Sequence, residues 1–151
     1  TSEDIMNKIT DKRKDCFYMI KQLHDNIEKN ANNALKKYDL TMMQLGALMR
    51  LNKDGGGECT LKEFEKLLHL AQSTTAGIVK RLEQKKFVEC FGDPFDKRIK
   101  KVRITAEGIK LCSIAAVDME HAAKKYTKGI SKEELNTFVN VIIKLCENAD
   151  S

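Results

Sequence analysis

Read as a string of apolar and polar positions, the chain is dominated by helical spacing, broken once by strand spacing. From about residue 11 to 38, apolar side chains fall at Cys16, Ile20, Leu23, Ile27, Ala31, Ala34 and Tyr38. Steps of three and four predict one long amphipathic helix. It is too long for a small core to bury completely. A second stripe, Ile109, Cys112, Ala116, Met119, Ala123 and Tyr126, alternates three and four, the spacing of a helix–helix seam. A third carries Leu135, Phe138, Val139, Ile142, Leu145 and Cys146. The terminal helices therefore have apolar faces to bury, and dimerisation is the expected way to bury them.

Helix starts are marked by capping boxes with hydrophobic staples. Thr41 and Gln44 pair with Leu40 and Leu45, Thr60 and Glu63 with Cys59 and Phe64, Ser131 and Glu134 with Ile130 and Leu135. Gly55-Gly56-Gly57 and Gly129 predict helix ends. "TLKEFEKLLHL" reads as a short helix with Leu61, Phe64, Leu67 and Leu68 inward, followed by a turn at His69-Leu70. The helix containing "AQSTTAGIVKRL" comes next. "FVECFGDPFDKRIKKVRIT" then predicts a β-hairpin with strands over 87–91 and 100–105 and a turn over 92–96. Val102 and Ile104 alternate with Lys101 and Arg103, so one hairpin face is apolar and one basic. Short helix, tight turn, second helix and basic hairpin make a winged helix-turn-helix. The fold class expected is mainly α with a small β-hairpin wing.

Composition fits one globular domain: 151 residues, 42% hydrophobic and 32% charged, with one proline and 6% aromatic residues. No apolar run approaches the ~20 residues of a membrane helix, and "TSEDIMNKIT" lacks the apolar core of a signal peptide. No membrane partner is expected. Five cysteines, at 16, 59, 90, 112 and 146, form no CxxC pair. The odd, scattered set predicts mostly buried thiols in a reducing cytosol rather than a disulfide framework. A cytoplasmic protein follows.

Charge changes the picture through its location. Residues 72–104 hold nine basic and four acidic side chains, the +5 surplus of the whole chain. That concentration suits either a polyanion footprint or a solvated basic face.

The second helix decides between them. Ser and Thr compete with the helical backbone for hydrogen bonds, and an interior Gly costs up to about 1 kcal/mol against Ala. With Ile78 and Leu82 facing the core and Thr75 and Val79 beside them, Gln72, Ser73, Thr74, Ala76, Gly77 and Lys80 are left toward solvent. In a major groove, Gln pairs with adenine and Ser or Thr contacts base edges or phosphates. Ala76 and Gly77 let the backbone approach closely, and Lys80 and Arg81 reach flanking phosphates. The helix N-terminus adds partial positive charge.

"LTMMQLGALMRL", "TLKEFEKLLHLAQSTTAGIVKRLEQKKFVE" and "DPFDKRIKKVRITAEGIKL" resemble the MarR family of bacterial transcriptional regulators over about residues 40–111. The resemblance implies a single domain over 1–151, with dimerisation helices in 1–38 and 106–151 and a DNA-binding lobe over 39–105. It implies a homodimer, usually a repressor, on a pseudo-palindromic operator in double-stranded DNA. The full DNA-binding set expected is Thr60, Gln72, Ser73, Thr74, Thr75, Ala76, Gly77, Lys80, Arg81, Lys97, Arg98 and Lys100. The family's Asp-x-Arg-Arg wing reads Asp96-Lys97-Arg98 here, with Asp96 bracing Arg98 and Lys97 in place of the arginine that enters the minor groove. Phe87 replaces the usual glycine after Lys85-Lys86. The resemblance also implies release by a small-molecule effector, often an aromatic acid, in a pocket between dimerisation helices and lobe.

There is no nucleophile–base–orienter set, phosphate loop or HExxH. No enzyme, catalytic residue, metal or cofactor is expected, and His24, His69 and His121 stand far apart. Two alternatives stay open. Cys16 lies where peroxide-sensing relatives carry a reactive cysteine, which allows a thiol-based oxidative-stress regulator. Some winged helices are protein-interaction modules, whose basic hairpin would meet an acidic partner.

Overall fold

The computed structural model describes residues 12–151; the first eleven residues of the expected N-terminal segment lie outside them. A first compact unit ends at Cys112, and a second is Ser113–Ser151. The elements are α1 (Lys12–Leu35, continued by a 3-10 turn over Lys36–Tyr38), α2 (Met42–Lys53), β1 (Glu58–Thr60), α3 (Leu61–Leu68), α4 (Gln72–Gln84), β2 (Val88–Gly92), β3 (Lys100–Ile104), α5 (Ala106–Tyr126) and α6 (Lys132–Asp150).

All three expected capping boxes form. Thr41, Thr60 and Ser131 each accept from the backbone N–H three residues on, and Gln44, Glu63 and Glu134 return the bond. Each cap stabilises its helix by about 1 kcal/mol. α3 closes at His69, whose left-handed φ of 55° turns the chain toward α4. α4 closes with Lys86 at φ 65°, while Phe87 N–H donates to the Leu82 carbonyl at 3.0 Å. This Schellman-type end uses a lysine in the left-handed position, so Phe87 can stand where the resemblance implied glycine.

The core of the first unit is built by the faces these starts and stops aim inward. Leu48, Leu51, Phe64, Leu82 and Val102 are fully buried, with Leu45, Ile78, Val79, Val88 and Ile104 around them. Each such side chain contributes roughly 1.5–3 kcal/mol by leaving water. Leu67 and Leu68, expected inward on α3, are half-buried.

The sheet has three antiparallel strands in the order β1-β3-β2. β1 was not expected: three residues behind a glycine run carry no alternation to read. Its register pairs Cys59 with Val102 and Glu58 with Arg103. The hairpin strands each lie slightly off the predicted spans, because their outer residues serve neighbouring helices. Phe87 closes α4, and Thr105 Oγ1 accepts from Gly108 N at 3.1 Å and donates to the Lys86 carbonyl at 2.7 Å. Gly108 sits so close to this junction that a Cβ would meet the Phe87 carbonyl oxygen at 2.3 Å.

The predicted stripe on α1 is graded: Ile20 and Leu23 are exposed, Ile27 and Ala31 half-buried, and Leu35, rather than Ala34, is buried. On α5, Leu111, Cys112 and Ala115 are buried, while Ile109 and Met119 of the predicted seam are exposed. In the second unit α6 has no buried residue, and Leu135, Phe138, Val139, Val141 and Ile143 are all exposed. No helix among the described residues is long and apolar enough to cross a membrane.

Candidate nucleic-acid interface

α4 separates its residues cleanly. Thr75, Ile78, Val79 and Leu82 are buried, whereas Gln72, Ser73, Thr74, Ala76, Gly77 and Lys80 are exposed. Its N-cap is Ala71, which makes no side-chain bond to the helix. The Ser and Thr residues therefore stand inside the first turn and do not cap it. A Cβ on Gly77 would meet nothing within 4 Å, so packing does not require glycine there.

Two residues of the expected DNA-binding set are placed differently. Thr75 is 1% exposed, and its hydroxyl is buried with no hydrogen-bond partner; helical spacing from Ile78 and Val79 turns it into the core, off the exposed face of the helix. Arg81 is bound to Asp39, through both the carboxylate and, at 3.3 Å, the carbonyl oxygen. Lys85 Nζ reaches the same carboxylate at 3.0 Å. The hydrogen bond from Lys85, then the charge of Arg81, holds Asp39 below the ordinary carboxylate range. Arg81 thus fastens the C-terminal half of α4 to the chain entering α2. Thr60, too, has a structural duty as the N-cap of α3.

The wing redistributes the basic surplus. The face expected to be basic is neutralised: Arg103 lies between Glu58 and Glu89, at 3.5 and 3.0 Å, and stacks on Phe91 at 4.7 Å. Lys101 bonds Asp93 at 3.3 Å. The registers Glu58–Arg103 and Glu89–Arg103 create this ladder; its Glu58 half required β1 and so was hidden from sequence. At the tip, Asp96 accepts from Arg98 Nε and a terminal guanidinium nitrogen at 2.9 and 3.0 Å. The expected brace is present, and the Arg98 hydrogen bond lowers the Asp96 pKa. Among the described residues, Lys80, Lys97 and Lys100 have no carboxylate partner. A cleft between α3, α4 and the wing is lined by Thr60, Lys62, Gln72, Ala76, Arg98 and Lys100, among others. Helix face and wing tip thus border one concave surface.

The cysteines are less buried than expected: Cys59 and Cys112 are buried, Cys16 is half-buried, and Cys90 and Cys146 are exposed. Burial pushes the Cys59 thiol up to about 11. The Tyr18 hydroxyl accepts from Gln22 at 3.2 Å. Sequence reading also missed one grouping on α1, where His24, Asp25 and Glu28 lie within ligand reach of one another. Lys21 already holds Asp25 at 2.8 Å.

Fold and surface together define a winged helix-turn-helix protein. Residues 38–99 match the model of the MarR family. The chain is 26% identical over 129 residues to the HTH-type transcriptional repressor IacR of Pseudomonas putida, covering 83% of this chain and 76% of IacR. It is 26% identical over 127 residues to the HTH-type transcriptional regulator BilQ of Clostridioides difficile (strain CD3), covering 84% and 82%. The S. aureus MepR–DNA complex has the same fold, with a TM-score of 0.77, 22% identity, and coverage of 87% of this chain and 96% of MepR. Over its winged helix-turn-helix part the chain is thus similar to the MarR family, and over most of its length to proteins named as HTH-type transcriptional regulators.

Proposed function

We propose that the chain is a repressor that acts in the cytoplasm as a homodimer, binds a pseudo-palindromic operator and is released by a small-molecule effector. One observation carries the DNA reading. Gln72, Ser73, Thr74, Ala76, Gly77 and Lys80 form an exposed, internally unemployed face beside Lys97 and Lys100, while the neighbouring cations Arg81, Lys85, Lys101 and Arg103 are already paired. Gln72, Ser73 and Thr74 read base edges; Lys80, Lys97, Arg98 and Lys100 meet backbone phosphates, with Lys97 in the place of the minor-groove arginine and Asp96 bracing Arg98. The lobe over 39–105 is the DNA-binding part, and 1–38 with 106–151 dimerise. The exposed apolar side chains of α1 and α6 support that assignment, as do the repressor name of IacR and the DNA complex of MepR. Two recognition helices on a twofold axis then enter successive major grooves about 34–36 Å apart.

The test is a mobility shift with the promoter DNA adjoining the gene, over a salt series, beside light scattering of the full chain. A sequence-preferring complex of two chains, weakening steeply with salt, supports the reading. A stable monomer at micromolar concentration removes the dimer, and binding indifferent to DNA sequence removes the operator. Titration of small aromatic acids into the complex tests release. An effector that lowers operator affinity tenfold must distinguish the free and DNA-bound conformations by about 1.4 kcal/mol.

A further inference from the structure

Phe95, at the tip of the wing, is 98% exposed, more than any other large apolar side chain described. The other phenylalanine of the hairpin arm, Phe91, is half-buried and covered by the Arg103 guanidinium. Phe95 has no such cover, yet the turn that carries it is firmly built. Asp93 Oδ1 accepts from Phe95 N–H at 2.8 Å and from Asp96 N–H at 3.1 Å. Lys101 grips the other Asp93 oxygen at 3.3 Å. Asp93 N–H donates to the Ile99 carbonyl at 2.9 Å, and Ile99 N–H to the Asp96 carbonyl at 3.0 Å. Pro94 fixes its own φ. The backbone thus holds an aromatic ring in water at a fixed point, and its two side-chain torsions cost little to order on binding.

The surroundings state the partner's chemistry. Both carboxylates of the tip are neutralised, Asp93 by Lys101 and Asp96 by Arg98. Lys97 and Lys100 remain as surplus cations on either side of the exposed Arg98. An apolar point inside a cationic rim matches a surface with phosphates at its edges and stacked, apolar material between them. A minor groove has that form, and proteins bend DNA there by inserting apolar wedges at base steps.

We propose that Phe95 is a DNA contact: a wedge that enters the minor groove beside Arg98 and loosens the base step it meets. The inference rests on the DNA-binding reading above and adds to it a preference for easily unstacked pyrimidine–purine steps under the wing. An apolar contact releases no counterions, so its signature differs from that of a lysine.

The experiment compares the full-length wild type with F95A, F95W and K97A on the promoter duplex. Fluorescence anisotropy over a salt series gives affinity, and energy transfer between dyes at the duplex ends gives bending. F95A is expected to bind about tenfold or more weakly at every salt concentration, with an unchanged salt slope and a smaller bend. F95W restores both, and K97A lowers the slope by about one unit. Melting temperatures of F95A and F95W should equal that of the wild type, since the ring touches no core. F95A binding within twofold of the wild type, with the same bend, overturns the wedge and leaves the DNA reading intact. A wild type that binds no duplex overturns both. Anionic phospholipid vesicles serve as a third arm: Phe95-dependent vesicle binding, with DNA binding insensitive to F95A, assigns the ring to a lipid surface and overturns the proposal.

Discussion

α3 and α4 are neighbours in one motif and are built on opposite principles. α3 is sealed: its N-terminus carries a reciprocal capping box, its Phe64 is fully buried, and its C-terminus closes on a left-handed His69. α4 is left open at its N-terminus: Ala71 caps nothing, Ser73 and Thr74 face solvent, and Gly77 has empty space where a Cβ would go. A helix that optimises folding spends its polar groups on itself. One that keeps them unspent, and tolerates a costly glycine without a packing reason, is shaped by something outside the folded chain. The same division separates Arg103, saturated by two glutamates, from Lys97.

The contrast breaks most visibly at Phe64. Phe64→Ala should cost about 3–5 kcal/mol, read as a lowered midpoint in urea unfolding, with DNA binding lost only as the protein unfolds. Unchanged stability would mean that α3 is not the sealed partner. On α4, replacing Gln72, Ser73 or Thr74 by Ala should leave the unfolding midpoint in place while costing about 1–3 kcal/mol of discrimination between operator and random DNA. Equal losses on both DNAs would contradict base reading by that face. Thr60→Ala should remove about 1 kcal/mol of stability through the lost cap.

Gly77 sharpens the comparison further, because stability and function should move in opposite directions. Gly77→Ala is expected to stabilise the fold by roughly 0.5–1 kcal/mol and to weaken operator binding. Gly46, exposed on α2 and equally unobstructed, is the control: Gly46→Ala should stabilise similarly without touching DNA affinity. Two variants with the same DNA affinity would show that Gly77 is not there for close approach to a groove.

The smallest effect concerns Asp39. Its pKa is lowered in the folded state, so its contribution to stability is complete above the ordinary carboxylate value of 3.8 and is lost as pH falls through the lowered value. Asp39→Asn should lower stability slightly at neutral pH, where that contribution is complete, and converge with the wild type below the lowered value, which flattens the acid limb. An identical acid limb in wild type and variant would free Asp39 of the role.

What was readable in the sequence follows from how locally each feature is encoded. Capping boxes span four residues, and all three formed where Thr41, Thr60 and Ser131 announced them. The exposed face of α4 was legible because helical period alone sorts Gln72 from Ile78. Pairings across the sheet were not. The neutralisation of Arg103 depends on Glu58, 45 residues earlier, and on a strand too short to show period. The Arg81–Asp39 tie spans 42 residues, so a cation assigned to phosphate is held by the protein itself. Thr75 belongs to a third kind. Its position beside Ile78 predicted burial, while its hydroxyl suggested a contact, and packing won.

The same Asp39 tie has a mechanical consequence. Tyr38-Asp39 is the point where the chain passes from α1 into the lobe, and a junction of this kind is ordinarily slack. Here three kinds of contact hold it. Leu35 is buried, the Asn32 side chain accepts from Met42 N–H at 2.6 Å, and Asp39 is gripped by two cations from α4. The end of α1 is therefore tied to α4 like the handle to a blade.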